Sequence, residues 1–156
     1  MMELNPQWDY VADGVMGGVS TGSVSHGTVQ GRAAVRLRGE VSLENNGGFI
    51  QMAFDLSGGA VMDASGWQGI EIEVYGNGAS YELRLRTDQL TRPWQSFRTV
   101  FTAPARWQAV RMPWADFTGR KTDAIFDPAR LRRIGVLAIG SEMSADIHLA
   151  AIRFYH

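Results

Sequence analysis

A chain of 156 residues, 45% of them hydrophobic, is long enough to bury a core as one domain, 1–156, without covalent or metal staples. It has no cysteine, which removes thiol catalysis, thiolate-bound zinc and a disulfide framework together and fits a reducing compartment. Sixteen acids against fifteen bases give a net charge of −1, so no global field draws nucleic acid, and no apolar run approaches the roughly eighteen residues of a membrane span. The opening MMELNPQWDYVADG shows no basic leader, apolar stretch or small-residue cleavage site, and the expected location is cytoplasmic.

Along the chain, Trp8 and Tyr10 alternate with Asp9 and Val11, the pattern of a short strand or arm. Asp13–Ser20, DGVMGGVS, then places Gly14, Gly17 and Gly18 around Met16. That much glycine implies left-handed backbone or a chain approached too closely for a Cβ, and Met16 reads as a plug in an apolar gap. Ser23, Ser25 and Gly27 lie in a polar stretch, either a surface hairpin or a mobile flap. Ala33–Val41 alternates, with Val35, Leu37 and Val41 on one face and Arg36, Arg38 and Glu40 on the other. Leu43–Phe49, LENNGGF, repeats the first loop's recipe of an acid (Glu44), a glycine pair (Gly47, Gly48) and an anchoring hydrophobe (Phe49). The two loops are expected to be neighbours.

Gly48–Leu56 is apolar on both faces, as in a central strand covered on each side. After a looped stretch to Gly69, Ile70, Ile72 and Val74 face inward and Glu71, Glu73 and Tyr75 outward, up to a turn at Asn77-Gly78. Ser80–Asp88 returns with Tyr81, Leu83 and Leu85 inward. An antiparallel pairing of these two runs would set Glu71 and Glu73 against Arg84 and Arg86 as cross-strand ion pairs. Leu90–Gln95 is a loop, Ser96–Thr102 and Trp107–Met112 are strands, and Trp114–Phe117 is a short turn before the polar Thr118–Asp123. Asp127-Pro128 starts one brief helical turn, and Arg133–Gly140 and Asp146–Tyr155 close the chain as strands. About nine antiparallel strands with at most short helical turns predict an all-β sandwich.

The glycine loops admit three chemical readings. Backbone N–H groups in turns can cradle phosphate, but phosphate fingerprints continue into a helix and none follows Gly18 or Gly48. Asp13, Glu44, Asn45 and Asn46 form an oxygen set suited to calcium, without the spacing of a known calcium loop. The third reading is structural: Asp13 and Asn45 form turns and cap nearby amides. The carboxylate pairs Glu71/Glu73 and Asp9/Asp13 fix no through-space separation and so name no hydrolytic reaction. His26, His148 and His156 lack metal spacing, Ser20 has no visible base, and no catalytic residue is assigned. Of the tryptophans, Trp107 is expected in the core, and Trp94 and Trp114, beside prolines, partly exposed.

DGVMGGVS followed by LENNGGF resembles the paired signatures of the complex I intermediate-associated protein 30 domain family. The likeness continues through YELRLRTD (81–88), Trp94–Phe97, WQAVRMPWADF (107–117) and the closing DIHLAAIRFY. The resemblance implies a galactose-binding-like jelly-roll sandwich and a part in protein assembly; the eukaryotic member helps assemble NADH:ubiquinone oxidoreductase. It implies no settled catalytic residues and no cofactor, although sandwiches of this kind often carry a structural calcium. Mitochondrial relatives would carry a transit extension, so a bacterial-type cytoplasmic member is the expectation. No NAD site is inferred. The expected function is a non-enzymatic protein-binding assembly module, with respiratory-complex subunits as candidate partners; the alternative is a carbohydrate-binding module. The expected surface joins the signature loops (Asp13, Gly14, Met16, Gly17, Gly18, Ser20, Glu44, Asn45, Asn46, Gly47, Gly48, Phe49) to a charged sheet face and rim (Glu73, Arg84, Arg86, Trp94, Trp114).

Overall fold

Each run of alternating apolar and polar residues becomes a strand, because period-two alternation buries one face of a pleated ribbon and hydrates the other. The computed structural model describes the backbone of residues 1–156 and the side chains of all except Val15, Met16 and Asn46. Twelve strands follow in order: β1 (Met2–Glu3), β2 (Asp9–Ala12), β3 (Thr21–Val29), β4 (Arg32–Val41), β5 (Phe49–Asp55), β6 (Gly69–Tyr75), β7 (Ser80–Thr87), β8 (Ser96–Thr102), β9 (Gln108–Pro113), β10 (Thr118–Arg120), β11 (Leu131–Ile139) and β12 (Met143–Tyr155). Helical structure is confined to 3-10 turns at Asp13–Met16, Glu44–Asn46, Trp114–Asp116 and Pro128–Arg130. The last is capped as expected, Asp127 accepting the N–H of Ala129 at 3.0 Å with Pro128 opening the turn.

The strands form two antiparallel sheets. The first runs β3-β4-β12-β6-β9, with β1 pairing β12 at Arg153 and Phe154, beyond the reach of β4. The second runs β10-β8-β7-β11-β5-β2. Their inner faces meet in one core: Leu37, Ile70, Ile72, Ile147 and Phe154 from the first sheet, Ile50, Met52, Leu83, Leu85, Phe97, Ile134 and Val136 from the second. Each such side chain contributes about 1.5–3 kcal/mol on burial.

Two expectations are corrected. The Asn77-Gly78 turn does not close a hairpin: β6 lies in the first sheet and β7 in the second, so the turn arches across the sandwich. Gly78 takes φ +84° there, Asn77 holds the carbonyl of Ser144 at 2.9 Å, and the Tyr81 hydroxyl donates to Asn77 at 2.7 Å. A local turn signal carries no record of which strand it delivers the chain to. Glu71 and Glu73 therefore never face Arg84 and Arg86. Of the two readings of the polar stretch after Ser20, the surface hairpin holds: it is the nine-residue strand β3, an edge of the first sheet paired along β4, where solvent rather than core meets most of its side chains. Second, Trp107, expected in the core, is half-buried on the outer face of the first sheet, its indole N–H donating to the Val29 carbonyl at 3.2 Å. β1, β3 and β10 add to the nine expected strands.

Candidate binding site

The two glycine loops meet at one carboxylate. Asp13, 0% exposed, accepts the Ser20 hydroxyl at 2.5 Å and the N–H of Gly48 at 2.7 Å and Phe49 at 3.3 Å on Oδ2, and the N–H of Ser20 at 3.1 Å on Oδ1. The Ser20 oxygen in turn accepts the N–H of Ser42 at 2.8 Å, which ties in the end of β4. The glycines follow from this knot. A Cβ on Gly18 would lie 2.4 Å from the Asp13 Cγ, and one on Gly47 2.5 Å from its Oδ2. Gly17 and Gly48 have φ of +86° and +138°, which side chains disfavour.

Burial pushes the Asp13 carboxyl up, but the Ser20 hydroxyl and the N–H groups of Gly48, Ser20 and Phe49 outweigh it and hold it below the usual carboxylate range. Both its oxygens face N–H and O–H donors, an environment that attracts an anion and repels a calcium ion. Among the described residues no three carboxylate or imidazole side chains converge on a cation position. Glu44 and Asn45 point to solvent, Asn45 with φ +56°, and Gly14 has open space around it. The plug expected of Met16 and the ligand role of Asn46 lie outside the described side chains.

The outer face of the first sheet carries a lattice of ion pairs. Arg153 bridges Glu3, Glu71 and Glu73; Arg111 holds Glu71 at 2.8 Å and Arg32 holds Glu73 at 2.9 Å. Arg36 grips Asp146 through two bonds of 2.8 and 2.7 Å. Aromatic rings fill between: Arg32 lies over Trp107 and Arg111 over Tyr155, at 4.7 and 4.6 Å from the ring centres. Glu73 belongs to this lattice and stands on the opposite side of the sandwich from Arg84 and Arg86, which separates residues expected on one surface.

The outer face of the second sheet is unbalanced. Arg84, Arg86, Arg98, Arg120 and Arg133 project there in register from β7, β8, β10 and β11, against the carboxylates of Glu82, Asp55 and, on the edge strand β2, Asp9. Glu82 takes Arg84 at 2.9 Å and Arg98 at 2.8 Å, and Asp55 takes Arg133 at 2.9 Å. Arg86 is a loop anchor, donating to the carbonyls of Arg92, Pro93 and Gln95 at 2.8–3.2 Å. It thereby fixes the turn that carries Trp94, 61% exposed. Trp114 sits elsewhere, half-buried against Phe117, Phe126 and Phe154, with its indole N–H on the Trp67 carbonyl. Around Trp94 and Arg84, a hollow of about 70 Å³ is lined also by Gln51, Ser96, Arg133 and Gly135. Sequence reading did not single out Ser96 or Gly135. Their one signal was parity, since Ser96 and Arg98 alternate with the inward Phe97.

Two antiparallel sheets packed face to face around one core define the class of the all-β sandwich. Solved structures agree on the fold. The chain is similar to a family 11 carbohydrate-binding module from Clostridium thermocellum in complex with a β-1,3-1,4-mixed-linked tetrasaccharide: TM-score 0.79, 12% identity, covering 99% of this chain and 94% of that one. It is also similar to the family 30 carbohydrate-binding module of a cellulosomal cellulase of the same organism: TM-score 0.60, 17% identity, 87% and 91% covered. By sequence, no curated protein matches the chain. The model of the Complex I intermediate-associated protein 30 (CIA30) family matches residues 2–150, and the chain belongs to that family.

Proposed function

We propose that this protein is a non-catalytic assembly module that captures a protein partner on the outer face of β5, β7, β8 and β11, working in the cytoplasm. The observation that carries the reading is the composition of that face. Arginines in excess of carboxylates stand beside exposed Trp94 and Val100, the latter 58% exposed, and Arg and Trp are the side chains that dominate binding energy at protein interfaces. The opposite face supports the choice by contrast, because Arg32, Arg36, Arg111 and Arg153 there are each already paired with a carboxylate. Family membership favours assembly as the role and makes respiratory-complex subunits the first partners to look for.

The test is affinity capture of the full chain at native expression followed by mass spectrometry, repeated with Trp94→Ala and Arg98→Glu. A specific protein retained by the parent chain and lost from both variants is expected. Equal retention by all three would exclude this face. The second reading, carbohydrate binding, has the fold likeness to sugar-binding modules in its favour; a glycan array on the same protein separates the two.

A further inference from the structure

The hollow beside Trp94 is lined by two residues with donors that the fold leaves unused. Ser96 is 4% exposed, yet its hydroxyl has no hydrogen-bond partner among the described residues, and neither has the buried Nη2 of Arg84. A buried polar group without a partner costs more than a hydrogen bond returns, so native proteins seldom keep one without a use for it. Here the two residues that carry such groups both line one small space. Arg84 already commits its Nε to Glu82, so what it leaves unpartnered is one edge of a guanidinium. Gly135 keeps the floor flat: a Cβ there would lie 2.4 Å from the Gln51 amide nitrogen. Burial lowers the Arg84 guanidinium from its ordinary value; Glu82 opposes this, and Arg120 and Arg98 add to it by repulsion. An added negative charge would relieve that crowding.

We propose that this hollow is a carboxylate-binding site and that its occupant is an aspartate or glutamate side chain of the partner protein, received between Arg84 and Ser96. The proposal rests on the protein-binding reading above and names the chemistry of its contact. A guanidinium edge and a hydroxyl suit the two oxygens of a carboxylate, and both bonds are charge-assisted. About 70 Å³ takes one small head group, and Trp94 covers the chain that presents it. An acidic sugar offers the same carboxylate, but sugar chains are held by flat aromatic platforms. Trp94 is the single aromatic on this face with most of its surface in solvent among the described residues.

Nuclear magnetic resonance titration of the full chain with a capped tetraglutamate peptide tests this, with tetraglutamine and trigalacturonate as parallel arms. Saturable shifts of the Arg84 Nε–H, the Ser96 amide and the Trp94 indole N–H are expected with tetraglutamate and not with tetraglutamine. Ser96→Ala should weaken the peptide about tenfold and keep the parent melting temperature, because the hydroxyl has no partner in the fold. No saturable response to tetraglutamate, or equal affinity in Ser96→Ala, overturns the proposal. A response to trigalacturonate alone reassigns the hollow to acidic sugars and overturns it too. Capture of a protein partner that survives Ser96→Ala sinks the carboxylate site while leaving the protein-binding reading standing; failure of the parent chain to capture any partner sinks both.

Discussion

Asp13 shows how a single buried charge organises two distant loops. Four donors reach its carboxylate from Ser20, Gly48 and Phe49, so the group stays ionised in a place where water does not reach. Replacing it with asparagine turns one acceptor into a donor aimed at N–H groups. Asp13→Asn is expected to cost about 2–3 kcal/mol, since bonds to charged groups are the stronger ones. In a chain of this size that lowers the melting temperature by roughly 4–12 °C by calorimetry. The sign of the pH effect follows from the depressed folded value. Stability from Asp13 is fully present above its unfolded pKa, about 3.9, and drains as pH falls through the lower folded value. Glu71, lowered first by Arg111, Glu73, lowered first by Arg153, and Asp146, lowered first by Arg36, add to the same acid limb. Melting temperature should fall steeply below about pH 4, and less steeply in Asp13→Asn. The glycines supply a matched pair of substitutions. Gly18→Ala drives a methyl into the carboxylate and should unfold the loops, whereas Gly27→Ala, with open space around it, should leave thermal stability within about 1 kcal/mol of the parent.

At the scale of elements, the turn between β7 and β8 has its shape dictated by side chains rather than by its own backbone. Arg86 holds three of its carbonyls from the sheet below, and the Gln95 side chain accepts the N–H groups of Thr91 and Arg92 while donating to Lys121. Arg86→Ala should release residues 91–95, read as a local loss of amide-exchange protection with β11 unchanged, and should weaken partner capture through the freed Trp94. Strand β12 plays the corresponding part in the first sheet, where Arg153, 12% exposed, ties β1 to β6 through Glu3, Glu71 and Glu73. Arg153→Met leaves those carboxylates gathered around fewer cations, and a loss of about 2 kcal/mol or more is expected in denaturant unfolding. Glu3 would then be free, and limited proteolysis should cut first near the N-terminus.

For the whole molecule, the sandwich keeps its charges in two different states. On one outer face Arg32, Arg36, Arg111 and Arg153 are each paired with a carboxylate; the other holds a surplus of guanidinium, although the chain's net charge is only −1. Local surplus, not net charge, sets the field a partner meets at contact distance. Association with an acidic partner should therefore slow as salt rises from about 50 to 300 mM, while dissociation changes little, measurable by surface plasmon resonance. Among the described residues no helix is long and apolar enough to cross a membrane.

Alternation, with continuous apolar runs such as Gly48–Leu56, located nine of the strands, because burial on one side of a pleat leaves its mark in alternate residues, Ile70, Ile72 and Val74 or Tyr81, Leu83 and Leu85, and burial on both sides leaves an unbroken apolar run. The glycine motifs likewise announced two constrained loops with an acid at their centre. Which sheet each strand enters was decided only in three dimensions. Glu71 and Arg84 both look outward from their strands, and nothing within either strand records that a turn at Asn77-Gly78 sends them to opposite sides of the molecule. Ser96 and Gly135 acquire meaning for the same reason. They are ordinary strand residues until pairing of β8, β7 and β11 sets them beside Arg84, since a binding hollow is a property of strands brought together and not of any one of them.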